Sequence, residues 1–256
     1  MASFEEPFAS GNSLIHRLDP RIRLVCAMAM TLPTALLQTF DPALTALGAS
    51  LLFIVLARLP LGTVFKRLFV VNIFILFLWL FLPFSTPGAA IQSFGPLTAT
   101  NEGVTLVALI TIKSNAIVLT LMALMGTIAI QDLGPAMQQL KIPNKLCHIL
   151  LFTYRYIFVI HQEYTTMHQA MSARGFTPKT NSHTYRTYAW LVGMLLVKSW
   201  DRAERVHGAM RCRGFQGRFY SLKQFTTANK DYIFLAGCLL LACGTLYIEI
   251  IHRGLS

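Results

Sequence analysis

Negative charge is scarce in this sequence: Asp and Glu number 11 in 256 residues, and all four charged types together make up 13 %. A soluble domain carries about 25 % charged residues to cover its surface, so a soluble globule is excluded. The 54 % hydrophobic content and mean hydropathy of +0.54 are those of an integral membrane protein. Cysteine is sparse as well. Cys26, Cys147, Cys212, Cys238 and Cys243 are odd in number, form no CxxC pair and fall mostly in apolar runs, which argues against a disulfide framework and for reduced, structural thiols. Nucleotide-binding patterns are absent, GxxxxGK[ST] and GxGxxG alike, so the chain is not expected to hydrolyse ATP. Neither GxSxG nor a persuasive set of paired carboxylates is present, so no catalytic residue is assigned and no enzyme is expected. The seven histidines form no HxH pair and no HExxH motif. His161 and His168, two turns apart on one helix face, are read as packing or hydrogen-bonding residues. The first twenty residues lack an apolar core, so no cleaved signal peptide is expected and the first span serves as the insertion signal.

What is abundant is uninterrupted apolar sequence. Runs without Asp, Glu, Lys or Arg occupy 24–40, 42–57, 68–101 and 232–248, and the stretch 103–131 is broken only by Lys113. Each can supply the apolar helix of about 20 residues that a bilayer core of about 30 Å requires. Pro83, Pro87, Gly88, Gly95 and Pro96 should end the third helix near Phe84 and leave an apolar loop. The expected fold is all-α and polytopic, with about five or more transmembrane helices.

Charge divides the chain into three regions: 1–130 with four spans and net +2, 131–230 with net +10, and 231–256 with a C-terminal span and net −1. An excess of +11 with a pI near 9.7 invites a nucleic-acid reading, but long uncharged runs have no place in a DNA-binding domain, and the charge reads as topology. Arg17, Arg21 and Arg23 put the N-terminus in the cytoplasm, and Arg58, Lys66 and Arg67 do the same for the second loop. Connections 39–42 and 85–102 carry no Lys or Arg and read as external. Four crossings then return the basic block to the cytoplasm.

Within that block, 144–174 and 183–213 read as two long helices, each about 45 Å if straight. Ile157, Ile160, Tyr164, Met167 and Met171 recur at helical spacing on the first, as do Leu196, Trp200, Ala203, Val206 and Met210 on the second. The number of crossings between 131 and 230 should be even. Ionisable groups inside apolar stretches are costly and invite a functional reading. Arg155 reads as an interfacial anchor or as a partner in a structural ion pair, Glu163 being one candidate, and Lys113 stays open between function and either snorkelling or burial against a carboxylate or helix-end carbonyls.

The most informative pattern is an internal repeat. Met167-His-Gln-Ala-Met-Ser-Ala-Arg-Gly-Phe176 and Val206-His-Gly-Ala-Met-Arg-Cys-Arg-Gly-Phe215 agree at six of ten positions and lie 39 residues apart. Two copies are too few for a solenoid, and the duplicated feature is a helix ending. Gly175 and Gly214 can take the left-handed conformation that stops a helix, with Arg174 and Arg213 at the negative end of the dipole. Capping alone would explain either ending. It does not require matching His and Ala-Met positions upstream, so the pair reads as two equivalent basic knobs for a partner with two equivalent acidic grooves.

Together with Arg17-Leu-Asp-Pro-Arg-Ile-Arg-Leu24 and Tyr154-Arg-Tyr156, the paired tips resemble the transmembrane coupling (T) subunits of energy-coupling-factor (ECF) ABC importers, in particular the CbiQ/NikQ group for cobalt or nickel. The resemblance spans essentially the whole chain. It implies an energy-coupling subunit of a bacterial or archaeal cytoplasmic membrane that works with two cytoplasmic ABC ATPases and a substrate-specific CbiM/NikM-like subunit. It also implies ATPase coupling through Ala173, Arg174 and Gly175 and through Cys212, Arg213 and Gly214, supported by Met171, Phe176, Met210 and Phe215. The second tip departs from the family's Ala-Arg-Gly pattern, with Cys212 where the first has Ala173. ATP would be used by the partners, with no cofactor and no high-affinity metal site on this chain, and with lipid rather than nucleic acid as its surroundings. A self-contained secondary transporter or channel is the alternative, with Lys113, Asn72 and Asn115 as its hints of a midplane polar site. A membrane enzyme is a further rival, without a catalytic set to support it.

Overall fold

A computed structural model describes residues 8, 11, 13–87, 90–94, 97–217, 225 and 227–255. Its elements in chain order are α1 (Pro20–Leu36), α2 (Phe40–Ala57), α3 (Leu61–Ser85), β1 (Ala90–Phe94), β2 (Leu97–Thr100), α4 (Asn101–Leu124), α5 (Ile130–Gln139), α6 (Asn144–Ala173), α7 (Ser182–Cys212) and α8 (Asn229–Leu255). They fall into two compact units, one built from residues up to 133 together with 225–255, the other from 134–217.

In the first unit, α4 packs against α1, α2 and α3, while α8 packs against α1 and α2. The core is assembled from Cys26 and Met30 of α1, Phe53 and Ile54 of α2, Leu119 and Met122 of α4, and Cys238 and Ala242 of α8. Four helices combine the length and apolarity of a membrane span: Phe40–Ala57, Leu61–Ser85, Asn101–Leu124 and Asn229–His252. Of the remaining run, 24–40, the part up to Leu36 belongs to α1, a shorter helix of 17 residues. Its start follows from local chemistry: Asp19 caps the helix by accepting the Arg21 N–H at 2.9 Å, and Pro20 occupies the first turn, where its missing N–H costs nothing. The chain is a multi-pass, helical membrane protein, and among the described residues a small hairpin is the one departure from helix.

That hairpin corrects the expectation of an apolar loop between the third and fourth spans. β1 and β2 pair antiparallel, with Phe94 opposite Leu97 and Ala90 opposite Thr100. At its base Thr100 caps α4 by accepting the Gly103 N–H, and its hydroxyl also meets the Pro83 and Thr86 carbonyls at 3.2 and 3.0 Å. The helix-ending prolines were read correctly, and α3 stops at Ser85. The strand pairing between them was not legible, because the two strands are only five and four residues long. The short helix α5 was also missed: Gly134 and Pro135 inside it imitate a loop, although Pro135 lies within the run Ile130–Gln139.

Charged and amide side chains inside the first unit have partners within it. Lys113 on α4 donates to the Leu37 carbonyl at the end of α1, at 2.6 Å. Glu249 on α8, itself buried, accepts from the N–H groups of Gln38 (2.9 Å) and Thr39 (3.2 Å) and from the Thr39 hydroxyl (2.7 Å) at the start of α2. The cation thus meets a helix C-terminus and the carboxylate a helix N-terminus, each at the favourable end of the dipole and on groups that lack intrahelical partners. Between α3 and α4, Asn72 and Asn115 exchange two amide hydrogen bonds of 3.1 Å, and the Trp79 indole donates to Thr111 at 3.1 Å. The three residues that hinted at a midplane transport site are therefore engaged in tying helices together.

Candidate functional site

In the second unit, α6 and α7 occupy Asn144–Ala173 and Ser182–Cys212, within a residue or so of the expected 144–174 and 183–213. Asn181 sets the start of α7 by accepting the Thr184 N–H at 2.9 Å. The two helices run antiparallel: Phe176, just past the end of α6, rests on Tyr188 and His183 near the beginning of α7, with ring centroids 5.8 and 6.3 Å apart. The repeated sequences thereby close opposite ends of one helical pair. Along α7, the rise from the level of Tyr188 to Arg213 separates the endings by about 40 Å.

The two endings have the same hydrogen-bond pattern. Gly175 N–H reaches the Ser172 carbonyl at 3.0 Å and Phe176 N–H reaches that of Met171 at 3.2 Å; in the second copy Gly214 N–H reaches Arg211 and Phe215 N–H reaches Met210, both at 3.0 Å. This is the Schellman ending, in which the residue after the cap must enter the left-handed region. Gly175 has φ +81° and Gly214 has φ +76°, which is why both copies keep glycine there. Met171 and Phe176, and likewise Met210 and Phe215, hold the positions that such an ending brings together, and all four are half-buried. Ala173, Arg174 and Gly175 are exposed, as are Cys212, Arg213 and Gly214. Among the described residues neither Arg174 nor Arg213 makes an ion pair. Among the described residues each ending thus offers an exposed guanidinium without an ion-pair partner.

The flanks of the pair are partly as expected. An apolar groove of about 480 Å³ runs between the helices, lined on α6 by residues including Tyr156, Ile157 and Ile160 and on α7 by Ala203, Val206 and Met210. Leu196 and Trp200, assigned from periodicity to the same face, are instead exposed. Arg155 is exposed and does not pair with Glu163. Glu163 is held by Lys198 of α7, with Arg202 Nη2 at 3.6 Å from its second oxygen. The Tyr164 ring lies between those of His161 and His168, with centroids 6.5 and 5.9 Å away, so both histidines pack against it. Among the described residues no three His, Cys, Asp or Glu side chains converge as a metal site requires.

The hydrogen bond from Lys198 holds the Glu163 carboxyl below its ordinary value, with desolvation opposing it more weakly and Arg202 assisting. A carboxylate with a depressed value stabilises the folded pair above its unfolded value, and that contribution is lost as pH falls through the depressed one. In a carboxyl-labelled sample the NMR titration midpoint of Glu163 is expected below that of an ordinary glutamate and should rise in Lys198→Met. An unchanged midpoint in that variant would break the assignment of the cause.

One unit contributes four helices long and apolar enough to span a membrane, the other an antiparallel helical pair with an exposed arginine at each of two like endings, and together they define a multi-pass membrane protein. The family model for CbiQ, described as a cobalt transport protein, matches residues 11–224, and the chain belongs to that family. It is 28 % identical to the energy-coupling factor transporter transmembrane protein EcfT of Macrococcus caseolyticus over 82 % of this chain and 83 % of the relative. Identity to EcfT of Ruminiclostridium cellulolyticum is 23 %, over 82 % of each chain. The cobalt transport protein CbiQ of Rhodobacter capsulatus is 28 % identical over 58 % of this chain and 62 % of its own. The chain is a membrane component of an energy-coupling factor transporter.

Proposed function

We propose that this chain is the non-catalytic coupling subunit of an ATP-driven importer for cobalt or nickel. Each tip docks into one of two cytoplasmic ABC ATPases, and a separate CbiM/NikM-like membrane subunit holds the metal. The observation that carries this reading is the duplicated Schellman ending, which presents an unpaired arginine twice in the same local frame. Arg174 and Arg213 donate to carboxylates in the ATPase grooves, where the planar guanidinium can form two parallel bonds. ATP-driven closure of the ATPase pair carries the tips with it, and α6 and α7 pass the displacement to the metal-binding subunit, a hinge or shear change. The basic 131–230 block and the N-terminus face the cytoplasm of a bacterial or archaeal cell, following the distribution of Lys and Arg. Cobalt is favoured by the family's description and by the name of the Rhodobacter relative.

Vesicles that contain this chain, its ATPases and the metal-binding subunit test the reading. ATP-dependent uptake of radiolabelled cobalt or nickel that disappears when any component is omitted is the expected result. Metal uptake by the chain alone, driven by an ion gradient without ATPase, would instead establish the secondary-transporter alternative.

A further inference from the structure

Glu163 and Arg202 are 39 residues apart, the spacing of the two copies of the repeat, and each lies four residues before its copy begins. Each lies 11 residues before its tip arginine, Arg174 or Arg213. They also face one another: Arg202 Nη2 lies 3.6 Å from Glu163 Oε2, and Lys198 binds Oε1 of the same carboxylate. Two equivalent positions in contact on antiparallel helices mark the local pseudo-two-fold axis that relates one tip to the other. Ile160 and Ser199, also 39 apart, line the groove beside it. Residues on such an axis meet their own counterparts, and like charges at that distance repel. Here the two positions carry opposite signs, and the contact is attractive.

We infer that the bridge from Glu163 to Lys198 and Arg202 is the pin of the coupling pair, fixing the point at which α6 and α7 cross and hence the spacing and angle of the two tips. Three observations support a positioning role. The apolar groove runs alongside the bridge, so side-chain packing leaves one flank of the crossing unfilled. The carboxylate is shared between two cations on one helix, and a two-point contact restrains rotation as well as distance. The pin is equally far in sequence from both tips, so a force applied at one is transmitted to the other through the same length of helix, about 16 Å on each side. The inference deepens the coupling reading and rests on it for its consequence in transport, but not for its geometry.

The geometry is tested without any partner. Spin labels at Thr177→Cys and Gln216→Cys, both exposed positions just beyond the tips, in a chain whose native cysteines are replaced, report the tip-to-tip distance in detergent. Glu163→Lys should broaden or shift that distribution. The charge-reversed triple variant, Glu163→Lys with Lys198→Glu and Arg202→Gln, should bring it back toward that of the wild type. In the reconstituted transporter, Glu163→Lys is expected to lower the metal imported per ATP hydrolysed several-fold, with recovery in the triple variant. An unchanged distance distribution and an unchanged uptake-to-hydrolysis ratio in Glu163→Lys would overturn the pin. Failure of the wild-type chain to bind an ATPase would overturn the coupling reading instead, and the label distances would still decide the pin.

Discussion

Alanine at both Arg174 and Arg213 is expected to abolish ATPase association and ATP-driven uptake while leaving the membrane protein folded. Hydrogen bonds to charged groups are worth about 1.5–3 kcal/mol each, so loss of one tip should weaken association by roughly 10- to 100-fold. Loss of both removes the whole docking contact. Folding should be spared because both arginines are exposed and, among the described residues, neither has an ion-pair partner to strand. A second perturbation separates charge from geometry. Valine at Gly175 or Gly214 keeps the arginine but forces a β-branched residue into the left-handed region, at a cost of about 1–2 kcal/mol, so the helix ending should refold and misdirect the tip. Lysine at 174 or 213 keeps the charge without the fork and should fall between arginine and alanine.

The largest stability effect is expected at Glu249. Replacing it with leucine deprives the Gln38 and Thr39 N–H groups and the Thr39 hydroxyl of their acceptor inside the first helical unit. A donor left unmade costs about 1–3 kcal/mol when fully buried; these three are part-buried, so a combined loss of about 1–3 kcal/mol is expected. Thermal unfolding in detergent should show a clear drop in Tm, with Glu249→Gln intermediate because its amide oxygen can still accept. A Tm equal to that of the wild type in Glu249→Leu would mean that the connection between α1 and α2 finds other partners.

Much of this architecture was legible because apolar runs and helical periodicity are strong local signals. The ends of α6 and α7 fell where the two Arg-Gly-Phe sequences placed them, since a left-handed glycine is a requirement that one residue type meets best. What stayed hidden depends on pairs distant in sequence. Lys113 was legible as a cation that either acts or is buried against helix-end carbonyls, but the acceptor itself, the Leu37 carbonyl 76 residues away, was not. Glu249 drew no attention, because a single acid at the end of an apolar run does not announce which helix end it will cap. Glu163 was one candidate for Arg155, eight residues earlier on its own helix, when its partners stand on α7. Periodicity placed Leu196 and Trp200 on the face of Ala203 and Val206, but the face turned to α6 is the one that carries Lys198 and Arg202, and two residues along a helix is about 200° around it, so Leu196 and Trp200 are exposed. The β1–β2 hairpin escaped for the related reason that its pairing is a backbone property of two strands only five and four residues long.

The central claim is that the duplicated ending makes two equivalent docking points, and counting ATPase subunits on the purified chain tests it most directly. Native mass spectrometry should show two ATPase subunits per wild-type chain and a shift toward one in either Arg174→Ala or Arg213→Ala. The double variant should carry none. Two subunits retained by the double variant would contradict the account and reduce the repeated tips to well-formed helix caps.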